Sequence, residues 1–144
     1  PPRDGPTPFV THRLAEQAVC LVGSPTRLTT ESSGELARLL EEHPVILPTR
    51  LSSIRTGFDA WVDRLGLRPQ IVAEVDDMAM MRVLMREDIG LGVMPAIVVK
   101  DELASGLLAQ SQPLPGISEV FYAVTVNRRF PNPVLGTLLE GTSL

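Results

Sequence analysis

The chain has 144 residues, of which 44% are hydrophobic and 21% charged, and a mean hydropathy of +0.14; these values are typical of one compact domain and argue against disorder or a coiled coil. Its 13 basic and 17 acidic residues give a net charge of −4, so this chain alone is a poor binder of DNA or RNA phosphates. A single cysteine excludes an intrachain disulfide, and no apolar run approaches the roughly 18 residues of a membrane span, so we expect a cytoplasmic protein without membrane contact.

Short apolar runs alternate with helical patterns along the chain. The predicted strands are residues 18–22, 45–47, 70–75, 91–95, 107–109 and 120–126, the last two separated by a turn at residues 113–116. The predicted helices are residues 35–42, 54–65, 78–85, 97–103 and 133–139. This alternation predicts an α/β fold of the Rossmann-like type, in which helices flank both faces of a mostly parallel sheet.

The helix predicted at residues 54–65 has the clearest pattern. Its apolar positions recur at helical spacing, and they are Ile54, Phe58, Trp61, Val62 and Leu65. Its charged residues, Arg55 among them, are expected on the other side of the helix. Ser52 or Ser53 can cap the first turn, and Gly66 suits a left-handed end. We expect Trp61 to pack in the core; the alternative is that it contacts a second chain.

Side chains arranged for catalysis are mostly missing from the sequence. His12 and His43 have no carboxylate or cysteine at ligand spacing, so we expect surface residues without a catalytic or metal-binding role. Cys20 lies inside an apolar strand, which favours packing over reactivity. Gly90-Leu91-Gly92 follows a helix and lacks the third glycine of a dinucleotide-binding motif. The sequence therefore predicts neither an enzyme nor a cofactor or metal site.

The turn at residues 48–53 has the strongest argument for ligand binding. It follows a buried strand and precedes a helix, which in a parallel sheet puts it at the carboxyl edge, where ligands usually bind. The hydroxyls of Thr49, Ser52 and Ser53 meet free helix amides there. Together with the guanidinium of Arg50, these groups suit a small anion or a polar metabolite. The alternative is that the serines only cap the helix and that Arg50 is solvated.

Asp76 and Asp77 form a second polar junction, between the strand at residues 70–75 and the next helix. Adjacent carboxylates could be a metal pair. A helix cap is the favoured interpretation, because carboxylates complement the exposed N–H groups and the positive end of the helix dipole.

Four strings of the chain follow one another in a characteristic order. They are residues 44–48 before a Ser-initiated helix, the helix exit Gly66-Leu67-Arg68-Pro69, the strand at residues 71–75, and a helix that leads into Gly90-Leu91-Gly92-Val93-Met94-Pro95. Together they resemble the effector-binding region of LysR-type transcriptional regulators. The strings around residues 72–77 and 100–103 are most similar to the branch that activates sodium/proton antiporter genes.

One position departs from the family pattern. Asp88 stands where the family has the first glycine of a GxG motif, and Gly90 is the second. Aspartate tolerates left-handed backbone better than most residues, so we expect the turn to survive.

The resemblance implies a periplasmic-binding-protein type II-like architecture. It divides the chain into a flexible lead-in at residues 1–13, subdomain II at residues 14–108, and the hinge return with the C-terminal part of subdomain I at residues 109–144. The family binds its effector in the cleft between the subdomains. The effector-binding residues that it implies here are Thr49, Arg50, Ser52, Ser53, Asp76, Asp77 and Met78.

The resemblance also implies a function and its partners. A small-molecule or ion effector would control an activator of transcription, which self-associates to a dimer or tetramer. DNA would be bound only through a helix-turn-helix domain that these 144 residues do not contain. A solute-binding protein of a transporter has the same fold and is the main alternative, and a doubly wound enzyme is a third.

Overall fold

The computed structural model describes residues 9–29 and 35–126. In chain order the elements are β1 (Phe9–Gly23), α1 (Leu36–Glu42), β2 (Val45–Pro48), α2 (Ser53–Leu65), β3 (Ile71–Val75), α3 (Met78–Arg86), β4 (Leu91–Pro95), a 3-10 helix (Ala96–Val99), α4 (Lys100–Ser105) and β5 (Ala109–Val126). The proline-rich residues 1–8 and the helix predicted at residues 133–139 lie outside the described residues. Within the described part, no helix combines the length and hydrophobicity needed to cross a lipid bilayer.

Five strands form one sheet in the order β3-β2-β4-β1-β5. Strand β2 is parallel to both β3 and β4, whereas β1 runs antiparallel to β4. The α/β prediction with flanking helices is confirmed, and the sheet is mixed because β1 enters in the opposite direction. Since β2, β3 and β4 are parallel, their carboxyl ends lie at one edge, and the register pairs Pro48 with Val75 there.

Two hydrophobic clusters cover the two faces of the sheet. One contains the leucines of α1 and the aromatic residues of α2, with Phe58 and Trp61 in edge-to-face contact at 6.0 Å between ring centroids. The other contains Cys20, together with Met81 and Met85 of α3 and Met94 of β4. Neighbouring residues of one strand enter different clusters, as the alternation of side chains requires. Trp61 is 6% exposed, which confirms the core interpretation.

Both ends of α2 follow the sequence prediction. Ser52, and not Ser53, caps the helix, because its Oγ accepts a hydrogen bond from the amide of Ile54 at 3.1 Å. Gly66 takes the left-handed conformation with φ of 69°, and the amide of Leu67 donates to the carbonyl of Val62 at 2.9 Å. This reversed turn is the usual way to satisfy the last carbonyls of a helix.

The C-terminal strands differ from the prediction. Residues 107 and 108 are not in a strand, and the predicted turn at residues 113–116 is part of β5, which runs without a break from Ala109 to Val126. Prolines are accepted there because β5 is an edge strand, in which a residue whose N–H would face away from β1 makes no ladder hydrogen bond. The helix predicted at residues 97–103 is also different, since it begins as a 3-10 helix and becomes α-helical only at Lys100.

The turn after α3 uses Asp88 at the position that the family pattern gives to glycine. Asp88 has a φ of 58°, and it is the one non-glycine residue with positive φ among those the structure describes. The expectation that aspartate can hold this turn is therefore confirmed. Arg27 supports it by donating from Nε to the Asp88 carboxylate at 2.6 Å and from Nη2 to the Asp88 carbonyl at 2.9 Å.

Substitutions at Asp88 separate these two contributions. We expect Asp88→Ala to lower the free energy of unfolding by about 1–2 kcal/mol, because the left-handed backbone conformation is unfavourable for alanine and the ion pair with Arg27 is lost. Asp88→Gly loses the same ion pair but relieves the backbone, so we expect a change within about 1 kcal/mol. Urea unfolding of both variants checks this. Equal losses for alanine and glycine would contradict a backbone role for Asp88.

The chain divides into two compact units. One is Gln17–Glu119 and contains the four α-helices found in the described residues; of the other, residues 9–16 and 120–126 are described. The boundaries expected from the family, at residues 13/14 and 108/109, stay a prediction.

Candidate functional site

The two polar junctions singled out in the sequence lie side by side at one sheet edge. The amide of Thr49, the first residue after β2, donates to the carbonyl of Val75, the last residue of β3, at 3.1 Å. The turn at residues 49–53 is therefore joined to the junction at residues 76–78. Because α2 and α3 both begin here, the positive ends of two helix dipoles are at this edge.

The turn before α2 is closed by local hydrogen bonds. The amide of Ser52 donates to the carbonyl of Thr49 at 3.0 Å, and the Ser52 hydroxyl is used as the helix cap. Thr49 and Ser52 are half-buried, while the side chains of Arg50 and Ser53 are exposed. Thus Arg50 and Ser53 are the groups of this turn that an incoming ligand could reach first.

The junction before α3 has the same organisation. Asp77 caps the helix, because its Oδ1 accepts from the amide of Met80 at 2.8 Å, which confirms the cap interpretation for this residue. Asp76 is exposed, and Met78 is half-buried against the methionine-rich cluster. In residues 9–29 and 35–126, no group of three His, Cys, Asp or Glu side chains could hold a metal ion.

A residue that the sequence analysis expected outside the core, Arg55, proves to be buried at this edge. Its side chain is 4% exposed. Its Nη1 donates to the carbonyl of Pro48 at 3.1 Å and forms an ion pair with Glu74, and its Nε donates to Asp59 at 2.9 Å. The spacing of Arg55 and Asp59 by one helical turn was a visible signal. The contact with Glu74, nineteen residues away, had no comparable signal in the sequence.

This network shifts the pKa values of Glu74 and Arg55. The hydrogen bond and charge of Arg55, and then the charge of Arg50, lower the pKa of Glu74. For Arg55, burial works to lower the pKa, but hydrogen bonds to Glu74 and Asp59 outweigh it and raise the pKa above the usual value. Near neutral pH, the network therefore contains the buried, charged guanidinium of Arg55 and the ionised carboxylate of Glu74.

Comparison with known proteins decides the family. Residues 1–141 match the family described as the LysR substrate binding domain. The chain belongs to this family. A comparison with curated protein sequences gave no match.

Solved structures of LysR effector domains have the same fold. The effector-binding domain of QuiR in complex with shikimate superposes with a TM-score of 0.63 at 19% identity, over 95% of this chain and 64% of that chain. The effector domain of AmpR from Pseudomonas aeruginosa gives 0.61 at 18% identity, over 96% and 67%. The bromide-bound regulatory domain of HypT from Salmonella typhimurium gives 0.63 at 16% identity, over 96% and 66%. This LysR domain thus spans about two thirds of the length of these three chains.

The comparisons bear on the alternatives. The neighbours are effector domains of transcriptional regulators and not enzymes, and the family match does not favour a transporter component. Neither the family match nor the similar structures named above support the antiporter-regulator branch. The seven predicted effector-binding residues stay a prediction, since none of the comparisons assigns a role to them.

Two further titratable residues in the part of the chain that the structure describes, Cys20 and His43, do not add a reactive group to the site. Burial raises the pKa of the Cys20 thiol, which keeps it protonated and unreactive. His43 is half-buried; its burial and then the nearby Arg27 lower its pKa, and its Nδ1 is 3.2 Å from Arg27 Nη1. His43 lies before β2, at the end of the strand opposite to the candidate site.

Proposed function

We propose that this LysR domain is an effector-sensing module that binds a small polar or ionic ligand at the carboxyl edge of β2 and β3. The effector-binding residues of the proposal are Thr49, Arg50, Ser52, Ser53, Asp76, Asp77 and Met78. The observation that carries it is the hydrogen bond between the Thr49 amide and the Val75 carbonyl, which joins two helix starts into one polar surface. Helix starts and a guanidinium are suited to recognise carboxylates or halides.

The ligand class draws support from the neighbours. The QuiR domain is solved with shikimate and the HypT domain with bromide, so this fold accommodates both a hydroxylated carboxylate and a simple anion. For the present chain, Arg50 would pair with negative charge and the exposed hydroxyl of Ser53 would bind polar groups. Both side chains are exposed in the described structure.

Signal transmission follows from differential binding. A ligand that makes more contacts in one arrangement of the domain than in another shifts the equilibrium toward the first. In the whole regulator, this shift would control DNA binding by a helix-turn-helix domain, within a dimer or tetramer in the cytoplasm. A ligand with equal affinity for both arrangements would bind without signalling.

Within the family, the proposal includes the branch of sodium/proton antiporter regulators, on the strength of the strings around residues 72–77 and 100–103. An ion would then be part of the signal, and the carboxylates of Asp76 and Asp77 would contact it. Melting curves in sodium chloride and potassium chloride at equal ionic strength test the branch. A melting temperature that differs between the two salts supports it, and identical curves contradict it.

The turn itself is tested with Arg50→Ala combined with Ser52→Ala. A thermal-shift panel of shikimate, sodium bromide and inorganic phosphate first identifies a bound probe. We expect the double variant to weaken binding of that probe by about 1–3 kcal/mol, because a charge-assisted hydrogen bond is lost while most of the fold is retained.

The matched control is Arg68→Ala combined with Ser118→Ala, which removes an exposed arginine and an exposed serine elsewhere. We expect it to leave the affinity unchanged. An unchanged affinity in the Arg50 and Ser52 variant would remove the turn from the site. A panel in which no probe shifts the melting temperature would contradict the proposed ligand class.

A further inference from the structure

The peptide group between Pro48 and Thr49 is fixed at both of its polar atoms. Its carbonyl oxygen accepts from Nη1 of Arg55 at 3.1 Å, and its N–H donates to the carbonyl of Val75 at 3.1 Å. The candidate effector turn starts from this peptide group. The orientation of the turn therefore depends on a side chain of α2 and a backbone group of β3.

Arg55 is suited to hold this position because it is buried and bonded on several sides. Its side chain is 4% exposed, whereas the carboxylates of Asp59 and Glu74 are 50% and 45% exposed. A buried guanidinium is tolerated only where its donors are satisfied, so its place among these partners is narrowly defined. The three partners come from the end of β2, the first turns of α2, and β3.

The same network bears on the charge of Arg50. Glu74 is close enough to Arg50 for this arginine to contribute to the lowered pKa of its carboxyl group, after Arg55. Glu74 is hydrogen-bonded to Arg55, and in the described structure the Arg50 side chain makes neither a hydrogen bond nor an ion pair. Because Arg55 is bonded to Oε2 of Glu74, this carboxylate attracts the guanidinium of Arg50 less strongly than it would without Arg55.

We propose that Arg55 is a positioning residue of the effector turn. It orients the Pro48–Thr49 peptide group, and it pairs with the Glu74 carboxylate in place of Arg50, so that Arg50 stays available for an anionic ligand. The role of the turn in ligand binding rests on the proposed function. The positioning of the turn does not, and it is measured without any ligand.

Amide hydrogen exchange of the 144-residue chain tests the positioning. We expect Arg55→Met to speed exchange of the Thr49 and Ser52 amides by about tenfold, because the turn loses its fixed peptide group. Arg55→Lys retains the charge and a donor, and we expect exchange within about threefold of the unsubstituted chain. The reference amides are those of Leu67, at the far end of α2, and Met80, in the cap of α3.

The reference amides separate positioning from general stability. Faster exchange of Thr49 and Ser52, with Leu67 and Met80 unchanged, supports the proposal. Equal acceleration of all four amides, or of none, overturns it. If Arg55→Met does not fold, Glu74→Gln supplies the same measurement, with an expected increase of about threefold at Thr49. Unchanged exchange at Thr49 in that variant would overturn the proposal as well.

A second measurement tests whether Arg50 is available to a ligand. Shikimate is titrated into the protein, and binding is followed by the NMR chemical shift of the Ser52 amide. We expect Arg55→Met to weaken shikimate binding about tenfold, because Glu74 then pairs with Arg50. Adding Glu74→Gln to Arg55→Met should restore the affinity to within about threefold. Failure to restore it overturns this part of the proposal. Absence of shikimate binding by the unsubstituted chain counts against the proposed ligand class, while the exchange result still decides the role of Arg55.

Discussion

Replacing Trp61 by alanine should lower the free energy of unfolding by about 3–5 kcal/mol. The indole ring is 6% exposed and contacts Phe58 edge-to-face at an interplanar angle of 63°. Truncation removes this contact and leaves a cavity between α2 and the sheet, which the surrounding leucines can fill only in part. Because Trp61 is the one tryptophan of the chain, urea unfolding is followed by circular dichroism and not by fluorescence.

Leu65→Ala is the matched control for this measurement. Leu65 lies one turn further along the same helix, yet it is 49% exposed. We expect a loss of about 1 kcal/mol or less, since much of its apolar surface stays in contact with water in the folded chain. A loss below about 1 kcal/mol for Trp61→Ala would place the ring in an incompletely packed environment and contradict its assignment to the core.

The helix that contains both residues shows how far sequence reasoning reaches. Its serine cap and its glycine exit are local signals, and the structure reproduces both. The apolar period is reproduced at Ile54, Phe58, Trp61 and Val62, whereas Leu65 is exposed. Strand β5 was mispredicted because the acceptability of Pro113 and Pro115 depends on an edge position in the sheet. An edge position is a property of the assembled fold, and no short string encodes it.

The candidate site divides in the same way. The turn before α2 and the junction before α3 could each be recognised from a strand followed by polar residues and a helix. That they adjoin is decided by the parallel register of β2 and β3, which pairs Pro48 with Val75. Burial of Arg55 was missed because its partner Glu74 lies nineteen residues away, on a strand whose position was not known.

Gly90→Ala should lower the free energy of unfolding by about 2–4 kcal/mol, because it forces two strands apart. A Cβ atom at Gly90 would lie 2.6 Å from the carbonyl oxygen of Pro44 and 3.1 Å from its carbonyl carbon. That oxygen accepts the amide of Leu91 at 2.9 Å, in the first contact of the β2–β4 ladder. Backbone on both sides of the contact leaves no flexible side chain that could move away. Urea unfolding and exchange of the Leu91 amide measure the loss.

Gly66→Ala distinguishes this steric effect from the conformational freedom of glycine. Gly66 has a φ of 69°, but a Cβ atom there would meet nothing within 4 Å. Alanine at this position lowers the free energy of unfolding only by the cost of the left-handed backbone conformation, about 1–2 kcal/mol. At Gly90 the loss of stability arises from the close approach of Pro44. The Leu91 amide should therefore exchange faster in Gly90→Ala, whereas its exchange rate should be unchanged in Gly66→Ala. A smaller loss at Gly90 than at Gly66 would mean that the close approach of β2 and β4 does not require glycine.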